Sequence, residues 1–402
     1  MHARNLLVLQ DEALREVLHD AWHGAMHDAS QHDASQHDAS QHDASHDAMD
    51  NASHDATDDA SHDAMHDARR DARRSDAARS DAARSDATRG VVFEDGALTL
   101  APGSVEGVLE SPAFTLPAFT ELVASWNSST PPGTFVELAV QVRTGGGWSR
   151  WFTYGRWADG GANTGSVPAQ RDEHAVLDVD LLRVLNGTAD AVRFRLHLGR
   201  TGAGPLSGLP TAPRVRLVAF TYAPAEPSGR PYVHENITLN VPARAQLPVP
   251  NIGRIICSPT SLAMVMQYYG HEEATEDVAA GAKDNGAGIY GNWSYNAAYA
   301  GEKGFTAWVE RCDSFEDVKD YLKSGVPVVA SIRTAKDDPL PGAVMPYPAG
   351  HLLVITGLTE EDGQRLVLVN DPAAHTEDDV PRRYPLDRFL QTWRNVIYVV
   401  QR

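Results

Sequence analysis

The chain has 402 residues, enough for two cores and a tail. Lys and Arg total 35 against 54 Asp and Glu, a net charge of −19, which excludes nucleic acid or anionic lipid as partners held by charge alone. Its two cysteines, Cys257 and Cys312, can form one disulfide at most, never a disulfide framework or a CxxC zinc cage.

At the start, Leu6-Leu7-Val8-Leu9 is cut off by Gln10, Asp11 and Glu12. That run is too short for the apolar core of a signal peptide. No stretch approaches 18 apolar residues, so no transmembrane segment is expected. Residues 1–89 read as a low-complexity, disordered tail. From His27 the unit His-Asp-Ala-Ser-Gln recurs every five residues through His32, His37 and His42, and an Arg-Ser-Asp-Ala register follows at Arg74, Arg79 and Arg84. With almost no large apolar residues, such a segment cannot build a core. Its His-Asp pairs suit weak Zn²⁺ or Ni²⁺ binding, but composition favours a plain repeat-expanded tail.

Residues 90–224 change character. Phe135–Arg143, Ala191–Leu198 and Arg214–Phe220 alternate at period two between Gly/Pro turns, with no helical segment. This predicts an all-β sandwich or jelly roll. Trp126, Trp148, Trp151 and Trp157 lie here, either as core packing or as aromatic platforms for a sugar or peptide. Residues 225–231 read as a linker.

The last domain, 232–402, is expected to be α+β. Ser258 as cap and Pro259 in the first turn announce a helix with Leu262, Val265, Met266 and Tyr269 on one face and Gly270 at its end. A second helix starts at Ser314, three residues before Asp317, and stops at Gly325. Val326–Ile332, Leu352–Leu358, Arg365–Val369 and Asn395–Val400 read as strands.

Cys257 at a helix mouth has the N–H groups and dipole end that favour a thiolate. A cysteine nucleophile also needs a base, an orienter for that base and oxyanion donors. His351 begins one strand and Asp371 ends the next, in Asn370-Asp371-Pro372. If the two strands form a hairpin turning near Glu361-Asp362-Gly363, those ends meet. Gln246, eleven residues before Cys257, supplies a side-chain N–H for an oxyanion. Taken singly, each residue is as well explained by packing. Cys312, between acidic neighbours, reads as structural. His234-Glu235 and His271-Glu272 lack the second histidine of a zincin helix.

Val241–Gln246, Cys257-Ser258-Pro259-Thr260-Ser261-Leu262, Gly350-His351-Leu352-Leu353-Val354 and Asn370-Asp371-Pro372 occur in an order that resembles the C39-like cysteine peptidase family, in its bacterial C39-like branch. The resemblance covers 232–402. It implies a papain-like fold and a triad of Cys257, His351 and Asp371, with Gln246 in the oxyanion hole. Ile256 stands where the family usually has tryptophan and Ser258 where glycine is common, which puts substrate preference in question. No part of the chain resembles an ABC transporter, so the exporter role of some relatives does not carry over.

The expected function is a cysteine peptidase or related amide hydrolase, working through a thioester on Cys257 with no metal or organic cofactor. The expected partners are a peptide or protein substrate and, through the β-sandwich, a cell-envelope component; no nucleic acid is expected. The alternatives are an inactive C39-like binding protein and acyl transfer from the same thioester. The resemblance implies a secreted or cell-envelope setting, while the visible N-terminus carries no export signal.

Overall fold

The computed structural model describes residues 5–21, 88–158, 164–201, 211–227 and 229–402. In the first half, thirteen strands hydrogen-bond into one sheet. In chain order they are β1 (Leu6–Gln10), β2 (Val91–Glu94), β3 (Ala97–Leu100), β4 (Glu106–Glu110), β5 (Phe114–Ser129), β6 (Thr134–Thr144), β7 (Gly147–Trp148), β8 (Phe152–Trp157), β9 (Gln170–Arg171), β10 (Ala175–Asp178), β11 (Leu181–Val184), β12 (Ala189–Arg200) and β13 (Arg214–Pro224). The three runs that alternate in the sequence are β6, β12 and β13, and Val136, Leu138, Val140 and Val142 on β6 are fully buried.

The expected all-β character of this domain holds. Here one sheet folds over itself, because β5 is 16 residues long. Its first part pairs with β12 and its later part with β13. Phe194 of β12 then meets Phe220 of β13 across the core, ring centroids 5.4 Å apart. Trp126 and Trp157 are core residues, both edge-on to Tyr295. Trp148 and Trp151 lie half-buried under the guanidinium groups of Arg193 and Arg195.

A structureless tail over 1–89 is corrected, for residues 5–21. Leu6–Gln10 runs antiparallel to Leu217–Thr221 of β13. Helix α1 (11–21) then buries Leu14, Val17 and Leu18. The short apolar run looked purposeless because its partner strand lies some 200 residues away. The His-Asp repeats, and the metal reading attached to them, lie outside the described residues.

The second sheet has seven strands in the order β15-β20-β16-β17-β18-β19, with β14 added on β17. These are β14 (Ile237–Thr238), β15 (Thr306–Arg311), β16 (Val328–Ile332), β17 (His351–Glu361), β18 (Gln364–Asn370), β19 (Pro381–Pro385) and β20 (Trp393–Gln401). The helices are α2 (Cys257–Tyr268), α3 (Thr275–Ala282), α4 (Trp293–Glu302), α5 (Phe315–Lys323) and α6 (Leu386–Thr392). Strand residues alternate between faces. Val329, Leu352, Val354 and Tyr398 join the apolar cluster containing α2, whereas Val328, Leu353, Ile355 and Ile397 join the one containing α5 and α6. The expected Ser314–Asp317 capping box opens α5.

The two halves are not separate cores. One apolar cluster runs without a break from Phe194 to Tyr398. Strand β15 lies at the edge of its sheet, and its outward N–H groups find side chains of the first domain. Ala307, Val309 and Arg311 donate to Asn127 Oδ1, Ser125 Oγ and Thr221 Oγ1 at 2.9, 3.2 and 2.7 Å. Asn127 Nδ2 in turn donates to the Ala307 carbonyl at 2.7 Å. The expected linker carries no regular element among its described residues. Arg230 straps it to α5 through Asp317 and Asp320, at 3.2 and 2.7 Å.

Replacing Leu14 by Ala should cost about 2–5 kcal/mol of stability, the range for a buried leucine. Urea unfolding of the full chain reads this directly. An unchanged midpoint would mean that α1 does not pack.

Candidate active site

Cys257 is the first residue of α2 and His351 the first of β17. Strands β17 and β18 form the expected hairpin, turning at Asp362-Gly363, with Val354 opposite Asn370. This returns Asp371 to His351. Gly350 has φ +98°, a backbone state that side-chain-bearing residues resist, and it turns the chain into β17 at the histidine. The helix starts two residues earlier than expected. Ile256, not Ser258, is the cap residue, and it makes no side-chain cap bond. Cys257 therefore lies within the first turn. Ser258 is fully buried, and Tyr398 Oη donates to its carbonyl at 2.9 Å. Every residue from Ser258 to Met266 is buried, because α2 is packed on all sides.

His351 and the backbone N–H groups of Leu352 and Ser258 act on the Cys257 thiol. On the far side of the ring, His351 Nε2 donates to Asp371 Oδ1 at 2.7 Å. Asp371 is wholly buried and its remaining capacity is filled. Ala373 N donates to Oδ1 at 3.0 Å, while Tyr347 Oη and Tyr384 Oη donate to Oδ2 at 2.9 and 2.7 Å. Tyr347 also lies flat on the imidazole, centroids 3.9 Å apart.

These contacts set the charges. Burial opposes ionising the Cys257 thiol, but the His351 hydrogen bond and charge, with the two N–H donors, bring it below its ordinary value. Burial likewise opposes charging His351, yet Asp371 and then Cys257 push it up to about 10. Asp371 is held below the usual carboxylate range, burial being outweighed by His351, Tyr384 and Ala373. Burial and the Asp371 charge push both tyrosines up, so they stay phenolic donors. Both shifts favour a thiolate beside an imidazolium.

Gln246 is buried and lines the same cleft, of about 610 Å³, as Cys257 and His351. Its Nε2 donates to the Gly253 carbonyl at 2.8 Å, which fixes the amide and leaves the second Nε2 hydrogen. Asn370 holds the preceding segment by donating to the carbonyls of Val241 and Pro242, at 3.0 and 3.2 Å. The four expected residues thus come together. Sequence reasoning missed Tyr347, Tyr384 and Asn370. Asn370 stood within a recognised motif, but the tyrosines carry no spacing signal.

One expectation about the wall is corrected. Ile256 is fully buried and does not line the cleft; Ile255 does, 57% exposed. Successive side chains around the turn into α2 point to opposite sides, so the departure at Ile256 falls in the core. Cys312 is buried in the second apolar cluster.

The first domain builds part of the cleft. Asp284 accepts Ser166 N–H and Oγ–H at 2.9 and 2.6 Å, and also Gly286 N, Ala287 N and Asn292 Nδ2. A Cβ on Gly286 would lie 1.9 Å from the Ser166 carbonyl, so only glycine allows the approach. This pins the segment that brings Ile289 and Tyr290 to the cleft. Among the described residues no helix is long and apolar enough to cross a membrane.

Residues 238–400 match the family described as the Peptidase_C39 like family. Residues 66–223 match the Peptidase C39 N-terminal domain, a match that begins inside the expected tail. No curated protein matches the chain. Among solved structures it is similar to a protein from Bacillus anthracis described as a C39-like peptidase, at 22% identity and TM-score 0.33 over 42% of this chain and 99% of that one. It is also similar to the peptidase domain of Streptococcus ComA, a bi-functional ABC transporter involved in quorum sensing, at 16% identity and TM-score 0.28 over 42% and 98%. A double glycine motif protease from an AMS/PCAT transporter, solved with its leader peptide, matches at 16% identity and TM-score 0.28 over 42% and 99%.

Near neutral pH, iodoacetamide should alkylate Cys257 well before Cys312, read by peptide mass spectrometry. In His351→Gln the largest lowering contacts vanish while burial remains, so the pH midpoint of Cys257 alkylation should rise. A midpoint that stays put would contradict the ion pair.

Proposed function

This chain belongs to the C39-like peptidase family, and from that premise we propose that it is a cysteine peptidase that opens a peptide bond through a thioester. The Cys257 thiolate attacks the carbonyl carbon. One Nε2 hydrogen of Gln246 and the Cys257 N–H hold the resulting oxyanion. As the C–N bond breaks, the His351 imidazolium gives its proton to the leaving amine. The neutral imidazole then takes a proton from water, which attacks the thioester and frees the acid and the thiolate. Asp371 keeps the ring's orientation and tautomer throughout.

The observation that carries this reading is the chain of contacts from the Cys257 thiol through His351 to the buried Asp371 on the wall of an open cleft. It favours a working enzyme over a binding protein with a retired site, because a buried carboxylate with its donors is costly to keep without use. Ile255, Ile289 and Met345 stand exposed on the cleft wall and suit an apolar substrate side chain. The first domain acts here as part of the enzyme.

A peptide-library digest should show cleavage by the wild type and none by Cys257→Ala with the fold retained; equal digestion by both would end the proposal. Gln246→Ala should lower kcat roughly 10²–10³-fold. The kcat/KM profile should rise on the acid side as the thiol ionises. It should fall on the alkaline side as His351 loses its proton near 10.

A further inference from the structure

Most of the cleft wall comes from the peptidase domain, but Asp180 does not. It lies in the two-residue turn between β10 and β11, where Asp178 pairs with Leu181. That turn reaches across the domain seam, and Asp180 lines the same cleft as Cys257 and His351. The turn is strained to do so. Val179 has φ +60°, a left-handed state that a β-branched side chain strongly resists. Strain of this kind persists only where surrounding contacts enforce it. The enforcing contact is at the start of α4, where Trp293 N–H donates to Asp180 Oδ2 at 2.6 Å.

The charges around Asp180 are one-sided. Among the described residues it forms no ion pair. The carboxylates of Asp284 and Asp178 act on it, and Asp178 is itself paired with Arg183 at 3.8 Å. Asp284 has five donors of its own, so it is saturated. Arg254, another charged side chain on the cleft wall, makes no ion pair with Asp180. Burial first, then these two carboxylates, push Asp180 up to about 7. A carboxyl in that position gains from any cation that enters beside it.

We propose that Asp180, supplied by the N-terminal domain, is a specificity-determining residue that receives a cationic nitrogen group of the peptide opened at Cys257. The inference rests on the peptidase reading above and deepens it. Cationic nitrogen is offered by a lysine or arginine side chain and by a free peptide amino terminus. An anionic or neutral side chain at that subsite leaves the Asp180 carboxyl without a partner. The domain seam then sets substrate choice as well as stability, since Asp180 reaches the cleft only while the seam is closed.

The test uses the full chain and covalent labelling of Cys257, so it needs no turnover. The probes are N-acetylated tetrapeptidyl chloromethyl ketones carrying lysine, norleucine or glutamate at each position in turn, plus one norleucine reagent with a free amino terminus. Labelling rates are read by mass spectrometry beside iodoacetamide, which is too small to reach the subsite. At one position the wild type should label roughly tenfold or more faster with lysine than with norleucine. If the free-amine reagent alone shows the gain, the cation is the peptide terminus. The gain should vanish in Asp180→Asn, whose side-chain oxygen can still accept from Trp293, with iodoacetamide rate and thermal midpoint near wild type, and turn toward glutamate in Asp180→Lys. Equal rates for all reagents in the wild type, or a lysine gain that survives Asp180→Asn, overturn the proposal. So does an equal fall of every rate in Asp180→Asn, iodoacetamide included, which marks Asp180 as an anchor of α4 alone. Iodoacetamide labelling of Cys257 no faster than Cys312 has a different meaning: the nucleophile fails, and the peptidase reading and this inference fall together.

Discussion

An edge strand needs partners for its outward N–H groups, and β15 finds them in another domain. Ser125, Asn127 and Thr221 take the N–H groups of Val309, Ala307 and Arg311, all three acceptors being almost wholly buried. Left unmet in that dry seam, each donor would cost about 1–3 kcal/mol. The peptidase sheet is therefore incomplete without the β-rich domain. The shared apolar cluster and the tie between Ser166 and Asp284 follow from the same closure. An accessory domain tethered by a free linker would leave β15 open and the cleft without one wall.

The site around Cys257 obeys a related rule. Three ionisable groups stand in series, a half-buried thiol, a buried imidazole and a buried carboxylate. Each alone would stay neutral in such surroundings. Charging them together is tolerable because the carboxylate is met by an imidazolium, two phenols and one N–H. Tyr347 serves twice, donating to Asp371 and stacking on the imidazole. The pair is thus dry where charge must be held and open only where substrate enters.

What the sequence made legible was whatever is specified locally. The capping box at Ser314, the turn at Asp362-Gly363 and the alternation of β6 and β12 all read correctly, since their causes lie within a few residues of their effects. The separation of His351 and Asp371 was legible for the same reason, because a hairpin converts chain distance into geometry. Elements specified at a distance were not. Helix α4 shows no apolar stripe, since Ser294 to Gly301 are buried on every side. Leu6–Gln10 resembles a truncated signal core until its partner on β13 is known. The Ile256 departure suggested altered specificity from chain proximity alone, whereas the side chain faces the core. Ile255, one residue away, carries the exposed surface.

That first strand has one more consequence. β1 joins β13 by main-chain bonds over five residues, in the way an extended peptide docks on a receptor's free sheet edge. Asn5 fastens its end to both domains, accepting from Thr221 Oγ1 and donating to Asp313. Lifted away, Leu6–Gln10 would leave the backbone of Leu217–Thr221 bare. The protein in effect carries its own strand-shaped ligand for the seam between its domains.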